Sequence, residues 1–356
     1  MTKFWQKHWF GLAVLLGILV LGLGTAVFNH YAIAQNPTSS SGSSDELFLP
    51  LITRPGTPPP QIAGCDIFPG DNIWNTPIDT LPVHPNSANY ISTIGASSGL
   101  HADFGSGVWP PSSNSPIGIP YVDVPGSQPD VPITFVSWPD ESDPGPYPIP
   151  PNAPIEGGPD AVGDRHVLVL DRDNCILYEM FDAFPQGNGS WEAANGAVYD
   201  LSSHDLRPDG WTSGDAAGLP ILPGLVRYDE VASGEIRHAI RFTAPETQAA
   251  HIWPARHDAS SNTGSNYPPM GLRLRLKANY DISGFPLEIQ VILQAFKTYG
   301  IILADNGSAW YISGVPDERW DNDMLHEWDG ITGSDFEVVD VSSLLIDPNS
   351  GQAKQP

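Results

Sequence analysis

The chain has 356 residues, with 41 Asp and Glu against 16 Lys and Arg, a formal charge of −25 at pH 7 and only two cysteines. A balance this acidic argues against nucleic acid and anionic membrane surfaces as partners. It also makes a strongly anionic polymer a poor substrate unless arginines focus the field locally.

Lys3 and Lys7 precede an apolar run from Trp9 to Phe28, which ends near Ala32-Ile33-Ala34. A basic start, an apolar middle and a small-x-small exit predict a signal peptide over residues 1–34, cut after Ala34. The run, about 20 residues, is also long enough to be an N-terminal membrane anchor. Either way the remainder is expected outside the cytoplasm, secreted or anchored facing outward, with membrane contact only through an uncleaved N-terminal segment. Residues 35–63 are rich in Ser, Gly and Pro and are expected to be a linker. A single β-rich domain is expected over 64–346, large enough at roughly 285 residues to bury one core, with a disordered tail over 347–356. Two cysteines in an exported chain most simply form one disulfide, Cys65–Cys175; two buried thiols are the alternative.

Within the domain, Pro85 to Ile91 is expected to open a short helix capped by Asn86 or Ser87. Ile117–Val124 and Val131–Trp138 are expected strands, with Pro132 at a strand start or edge. Residues 139–163 are too dense in proline for helix or sheet and form a long loop, the kind that is often functional. Asp164 to Phe184 predicts a central hairpin, turning at Arg172-Asp173-Asn174, whose Asp and Asn suit a tight turn. Glu235–Phe242 alternates, with Ile236, His238, Ile240 and Phe242 on one face and Arg237, Ala239 and Arg241 on the other. Leu272–Lys277 alternates with Leu inward and cations outward. Pro286–Tyr299 is the one convincing helix, started by Pro286 and ended by Gly300. Ile301–Asn306 reads as a buried strand paired with Ala309–Ser313 across Asn306-Gly307. Trp320–Trp328 suggests a second short helix and Phe336–Val341 a last strand. The fold class is therefore mainly β, an antiparallel β-sandwich or partly closed barrel with long Pro/Gly-rich loops and one or two helices.

No Gly-x-Ser-x-Gly elbow, His-Glu-x-x-His or phosphate loop is present, so serine hydrolysis and nucleotide chemistry lose weight. Histidines beside arginines and carboxylates remain. Arg165-His166 and Arg237-His238 repeat one dipeptide at strand starts, where an imidazole on an apolar face is a candidate acid, base or ligand, or a core-edge histidine bonded to a carbonyl. Convergence of His101, His166, His238 and His251 would make a transition-metal site, although no pair has tight ligand spacing. Glycoside hydrolysis needs two carboxyls, one kept protonated; Asp103, Glu156, Asp164 and Asp305 lie nearest to glycine loops or strand ends. Tryptophans are frequent and their faces suit sugar rings.

Asp71-Asn-Ile-Trp-Asn75, His101-Ala-Asp-Phe-Gly105, Pro139–Pro146, Gly218–Asp229 and Lys297–Gly307 together resemble an uncharacterised family of secreted bacterial and fungal proteins. The resemblance implies one domain type and an extracellular setting, and assigns no catalytic residue. The leading expectation is a secreted, glycoside hydrolase-like protein acting on a neutral extracellular polysaccharide. Asp164, His166 and His238 would do its acid–base work, with Arg165 and Arg237 orienting. His101, Asp103, His251, Trp253 and Asp305 would contact the glycan. The alternatives are a non-catalytic glycan-binding or cell-envelope module, and a metal-dependent protein built on a histidine cluster. No cofactor is expected beyond a candidate Ca²⁺ near Asp140, Glu141 and Asp143.

Overall fold

The computed structural model describes residues 58–356. The signal-peptide or anchor expectation for 1–34, and most of the linker, lie outside the described residues. In chain order the strands are β1 (Gln61–Ile62), β2 (Cys65–Asp66), β3 (His101–Asp103), β4 (Tyr121–Val124), β5 (Ile133–Phe135), β6 (Val167–Asp171), β7 (Ile176–Phe181), β8 (Phe184–Pro185), β9 (Trp191–Ala193), β10 (Asn195–Asp200), β11 (Ile240–Ala244), β12 (Arg273–Leu276), β13 (Ile301–Asn306), β14 (Tyr311–Ser313) and β15 (Phe336–Val338). The helices are α1 (Ser87–Ile94), α2 (Tyr228–Ser233), α3 (Leu287–Thr298) and α4 (Asn322–Leu325). With 25% strand against 16% helix among the described residues the protein is mainly β, and its sheets stack sandwich-like without closing a barrel among those residues.

The sheets are mixed, not purely antiparallel. A six-stranded sheet runs β15-β12-β13-β11-β14-β3, and a four-stranded one β10-β7-β6-β4. β11 and β13 are parallel, as are β14 and β3, and β4 and β6. β6 is buried at all five positions, as its Val/Leu run demands. Its hairpin with β7 closes because the Asp171 carboxylate accepts from the amides of Asp173 at 3.0 Å and Asn174 at 3.1 Å. Cys175 follows in the left-handed region, φ 56°, and forms the disulfide with Cys65 across 110 residues. Closing so long a loop contributes up to ~4–5 kcal/mol through the unfolded chain. Cys65→Ser with Cys175→Ser is therefore expected to lower Tm by on the order of 10 °C in a thermal melt, and reduction of the wild type by the same amount.

α3 forms because Ile289, Ile292, Leu293 and Phe296 make one buried stripe. It ends before Gly300, at φ +72°, where a Cβ would come within 2.2 Å of the Leu274 carbonyl oxygen. Only glycine fits that approach.

Five expectations need correction. Asn306-Gly307 does not make β13 and β14 neighbours: β11 lies between them, pairing with both. The connection wraps the end of β11, with Gly307 N donating to Ala244 O and Trp310 N to Thr243 O. β11 starts at Ile240, not Glu235, so Ile236 and His238 precede it. In β12 the arginines are not outward. Arg273 and Arg275 are buried, and their guanidiniums donate to the carbonyls of Tyr299 and Ile73, and of Ile78, Asp79 and Leu81. The domain reaches back to Gln61, which pairs with Asp66, so residues 61–63 are not linker. The C-terminal tail is ordered, because Gln352 bridges to Asn72 and Ala353 to Leu345, with Ala353 buried.

Candidate functional site

The register of the large sheet places four polar side chains on one face. Asp103 pairs with Ser313 and Phe242 with Ile312, so Asp103 and Ser313 share a face with Arg241. Strict pairing of β11 and β13 would carry Asp305 to the opposite, apolar face. A register shift between Phe242 and Thr243 pairs Thr243 with Asp305 instead. Asp305 Oδ2 thereby comes within 3.8 Å of Arg241 Nη2. Arg241 also donates Nη1 to Ser313 Oγ, and grips fully buried Asp215 with two nitrogens, Nε to Oδ2 at 2.9 Å and Nη2 to Oδ1.

The loop ahead of β6 supplies the other wall. Oxygens of Glu156 and Asp164 and a ring nitrogen of His166 lie within 4.8 Å of one another. His166 Nδ1 is 2.5 Å from Glu156 Oε2, and Nε2 is 3.1 Å from Gly214 O. Both ring nitrogens thus face acceptors, the arrangement of an imidazolium and not of a metal ligand. Burial alone would pull the His166 pKa down, but the Glu156 carboxylate, with Asp164 and Asp215, outweighs it and lifts it to about 10. Burial likewise pushes Glu156 up, and His166 and Arg241 bring it net below its ordinary value.

The sign follows. The His166 contribution is complete below its unfolded pKa and is lost as pH rises through about 10. The Glu156 contribution is complete above its unfolded pKa and is lost as pH falls through its lowered folded value. Glu156→Gln is expected to destabilise most near pH 5–6, where both are full, and least above about pH 10, read as Tm against pH.

The remaining carboxyls are held the other way. Burial, then Asp215 and Asp164, push Asp305 up to about 7, against the pull of Arg241. Burial raises Asp215 as well, against the pull of its two-pronged Arg241 contact. Asp103 is raised by burial, then by Glu156 and Asp164, although its surface is exposed. Asp103 thus combines an exposed surface with protein packed around its carboxyl. Asp164 is exposed too, and the side chains of Glu156 and Asp305 keep 23% and 20% of their surface. Among the described residues no side chain or amide donates a hydrogen bond to the Asp103 or Asp164 carboxylates.

Thus Asp103, Asp164, His166 and Asp305 come together. The other candidates lie elsewhere. His238 is fully buried, with Nδ1 donating to Ala239 O and Nε2 facing Glu230, itself paired with Arg227; it shares no partner with His166. Arg165 is buried and clamps the loop, donating to the carbonyls of Pro159, Ala161 and Ala183. Arg237 is half-buried, 4.0 Å from Glu235. His251 sits between Asp209 and Asp258, and Trp253 donates its indole N–H to Ser350 O. His101 packs against Tyr311 with tilted rings, centroids 4.2 Å apart, beside the site. Near the candidate Ca²⁺ loop, Asp143 accepts from Arg207 and Val198 N, and Glu141 from Thr212 N, contacts that occupy oxygens a cation would need.

Arg241 and Asp215 are the members that sequence patterning missed. Arg241 shows only as a cation on the polar face of its strand, and Asp215 sits in a Gly/Ala stretch without periodicity. Comparison of the chain with protein-family models, with curated proteins and with solved structures finds no match.

Proposed function

We propose that the protein hydrolyses glycosidic bonds in an uncharged extracellular polysaccharide. Asp305 is the acid that protonates the leaving oxygen. Asp164, with Asp103 beside it, is the carboxylate that activates water or attacks the sugar carbon. The observation that carries this is the inequality of the carboxyls in one cluster. One is poised to keep its proton near neutrality, while two others open to solvent without a protein donor. His166 and Arg241 are each consumed in pairing with Glu156 and Asp215, so the cluster keeps a surplus of negative charge. That surplus suits a transition state that becomes positive, the oxocarbenium type of glycoside hydrolysis, and opposes one that becomes negative. Aromatic surface lies alongside: Phe181 is 5.6 Å from the His166 ring, and Trp138, 37% exposed, is 6.3 Å from Phe181. Such faces suit sugar rings. The disulfide fits an oxidising, extracellular setting.

The test is release of new reducing ends from a panel of neutral plant and microbial glycans, with binding measured in parallel. Release supports the proposal. Binding without release would favour a non-catalytic glycan-binding module, in which exposed Trp109 and Trp138 carry the contact. Neither binding nor release contradicts both.

A further inference from the structure

Glu179 is a buried carboxylate without a Lys or Arg partner among the described residues. It stands in the middle of β7, opposite Leu168 of β6 and Ala197 of β10, both fully buried. Its own side chain has no solvent contact, and no Lys or Arg among the described residues reaches it. Its oxygens accept instead from two backbone amides of another segment: Ile221 N at 3.0 and 2.9 Å, and Leu222 N at 2.9 Å.

That segment, Ser213 to Leu222, builds much of the candidate site. Gly214 O receives the His166 Nε2 proton, Asp215 holds Arg241, and Ala216 N donates to Asp305 Oδ1 at 3.4 Å. Ile221 lies over Gly214: a Cβ on Gly214 would meet Ile221 Cδ1 at 2.8 Å and His166 Cδ2 at 3.6 Å. A shift of Ile221 therefore reaches Gly214, whose carbonyl accepts from the imidazolium.

We propose that Glu179 is a positioning residue for this site. Its ionised carboxylate fixes the Ser213–Leu222 segment, and through it the places of Gly214, Asp215 and Ala216 against His166, Arg241 and Asp305. The hold is pH-dependent. A carboxylate accepts from both amides; once protonated, one oxygen becomes a donor with only those two N–H groups before it, and the grip weakens. The charged and titratable groups facing Glu179 are Asp215 and His166 from the site and Tyr199 from β10. Burial pushes Glu179 up, the Leu222 and Ile221 amides pull it down, and it comes to rest at about 7, so the change falls in the neutral range.

The effect on rate assumes the hydrolytic site proposed above; the structural effect does not. The experiment follows the Ile221 and Leu222 amides and the His166 ring in the full chain, labelled with ¹⁵N at Ile, Leu and His, between about pH 5 and 9. In the wild type both amide signals are expected to titrate together with a midpoint near pH 7. In Glu179→Gln they are expected to stay flat, and the His166 ring nitrogens to shift. On any glycan the wild type cleaves, Glu179→Gln is expected to lower kcat roughly 10- to 100-fold with KM little changed. Flat amides in the wild type, or an unchanged titration in Glu179→Gln, would overturn the proposal. If Glu179→Gln does not fold, the wild-type titration decides alone. A titration that behaves as expected in a protein that cleaves no glycan supports the positioning role and counts only against hydrolysis.

Discussion

Asp305→Asn is expected to lower turnover by about 10²- to 10⁴-fold while leaving the protein folded. Asparagine keeps the shape, and its carbonyl oxygen can still accept from Asn306 N, now 2.8 Å from Oδ1, and from Ala216 N. What it lacks is an acidic proton to give to the leaving oxygen. The wild-type rate is expected to fall as pH rises through about 7, because the acid must be protonated to act. Stability moves in a related way. A carboxyl whose folded pKa is raised contributes stability that is complete below its unfolded pKa and lost as pH rises through about 7. Asp305→Asn also removes repulsion with Asp215 and Asp164. It should therefore raise Tm relative to the wild type at pH 8 more than at pH 5, and parallel melts with kcat–pH profiles check both halves.

The second large effect concerns the pair beneath. Arg241→Leu strips the fully buried Asp215 carboxylate of its two-pronged partner, and Asp305 of its nearest cation. Removing one member of a buried ion pair costs about 3–5 kcal/mol, because the other charge stays without compensation. For a domain of this size that corresponds to a fall in Tm of roughly 10 °C. Asp215→Leu should be comparably damaging, since Arg241, only 4% exposed, would keep Ser313 and the more distant Asp305. The paired replacement should be milder than the sum of the two, and a double-mutant cycle on Tm and denaturant midpoint gives the coupling. Additive single effects would mean that the pair is not a unit.

Much of the architecture was legible where one period governed a stretch. The Val/Leu run of β6, the Asp–Asn turn after it and the apolar stripe of α3 each state their own conformation locally. Strand order was not legible, because Asn306-Gly307 describes a turn and not which strand the returning chain will meet. β11 enters between β13 and β14 from residues distant in sequence. Alternation in Leu272–Lys277 misled for a related reason: the outward face of β12 is covered by Tyr299 and by the Ile73–Leu81 segment, whose carbonyls take the arginine protons.

The site divides in the same manner. Asp103, Asp164, His166 and Asp305 stood out as polar groups at glycine loops and strand ends, and they meet. His238 stood out equally, yet it is sealed with Arg227 and Glu230, and a dipeptide shared with His166 carries no information about what lies opposite each ring. Asp305 shares the face of Arg241 only through a one-residue register shift, which alternation cannot reveal. Glu179 is a lone acid inside an apolar strand, and nothing in its own stretch shows that the Ile221 and Leu222 amides lie against it.

The most direct measurement is a ¹³C NMR titration of the Asp305 carboxyl carbon in the full chain, assigned by comparison with Asp305→Asn. The account predicts a midpoint of about 7, with the Asp103 signal also above the ordinary aspartate range. An Asp305 midpoint at or below the ordinary aspartate value, near 4, would leave the cluster without its acid and contradict the proposed hydrolysis.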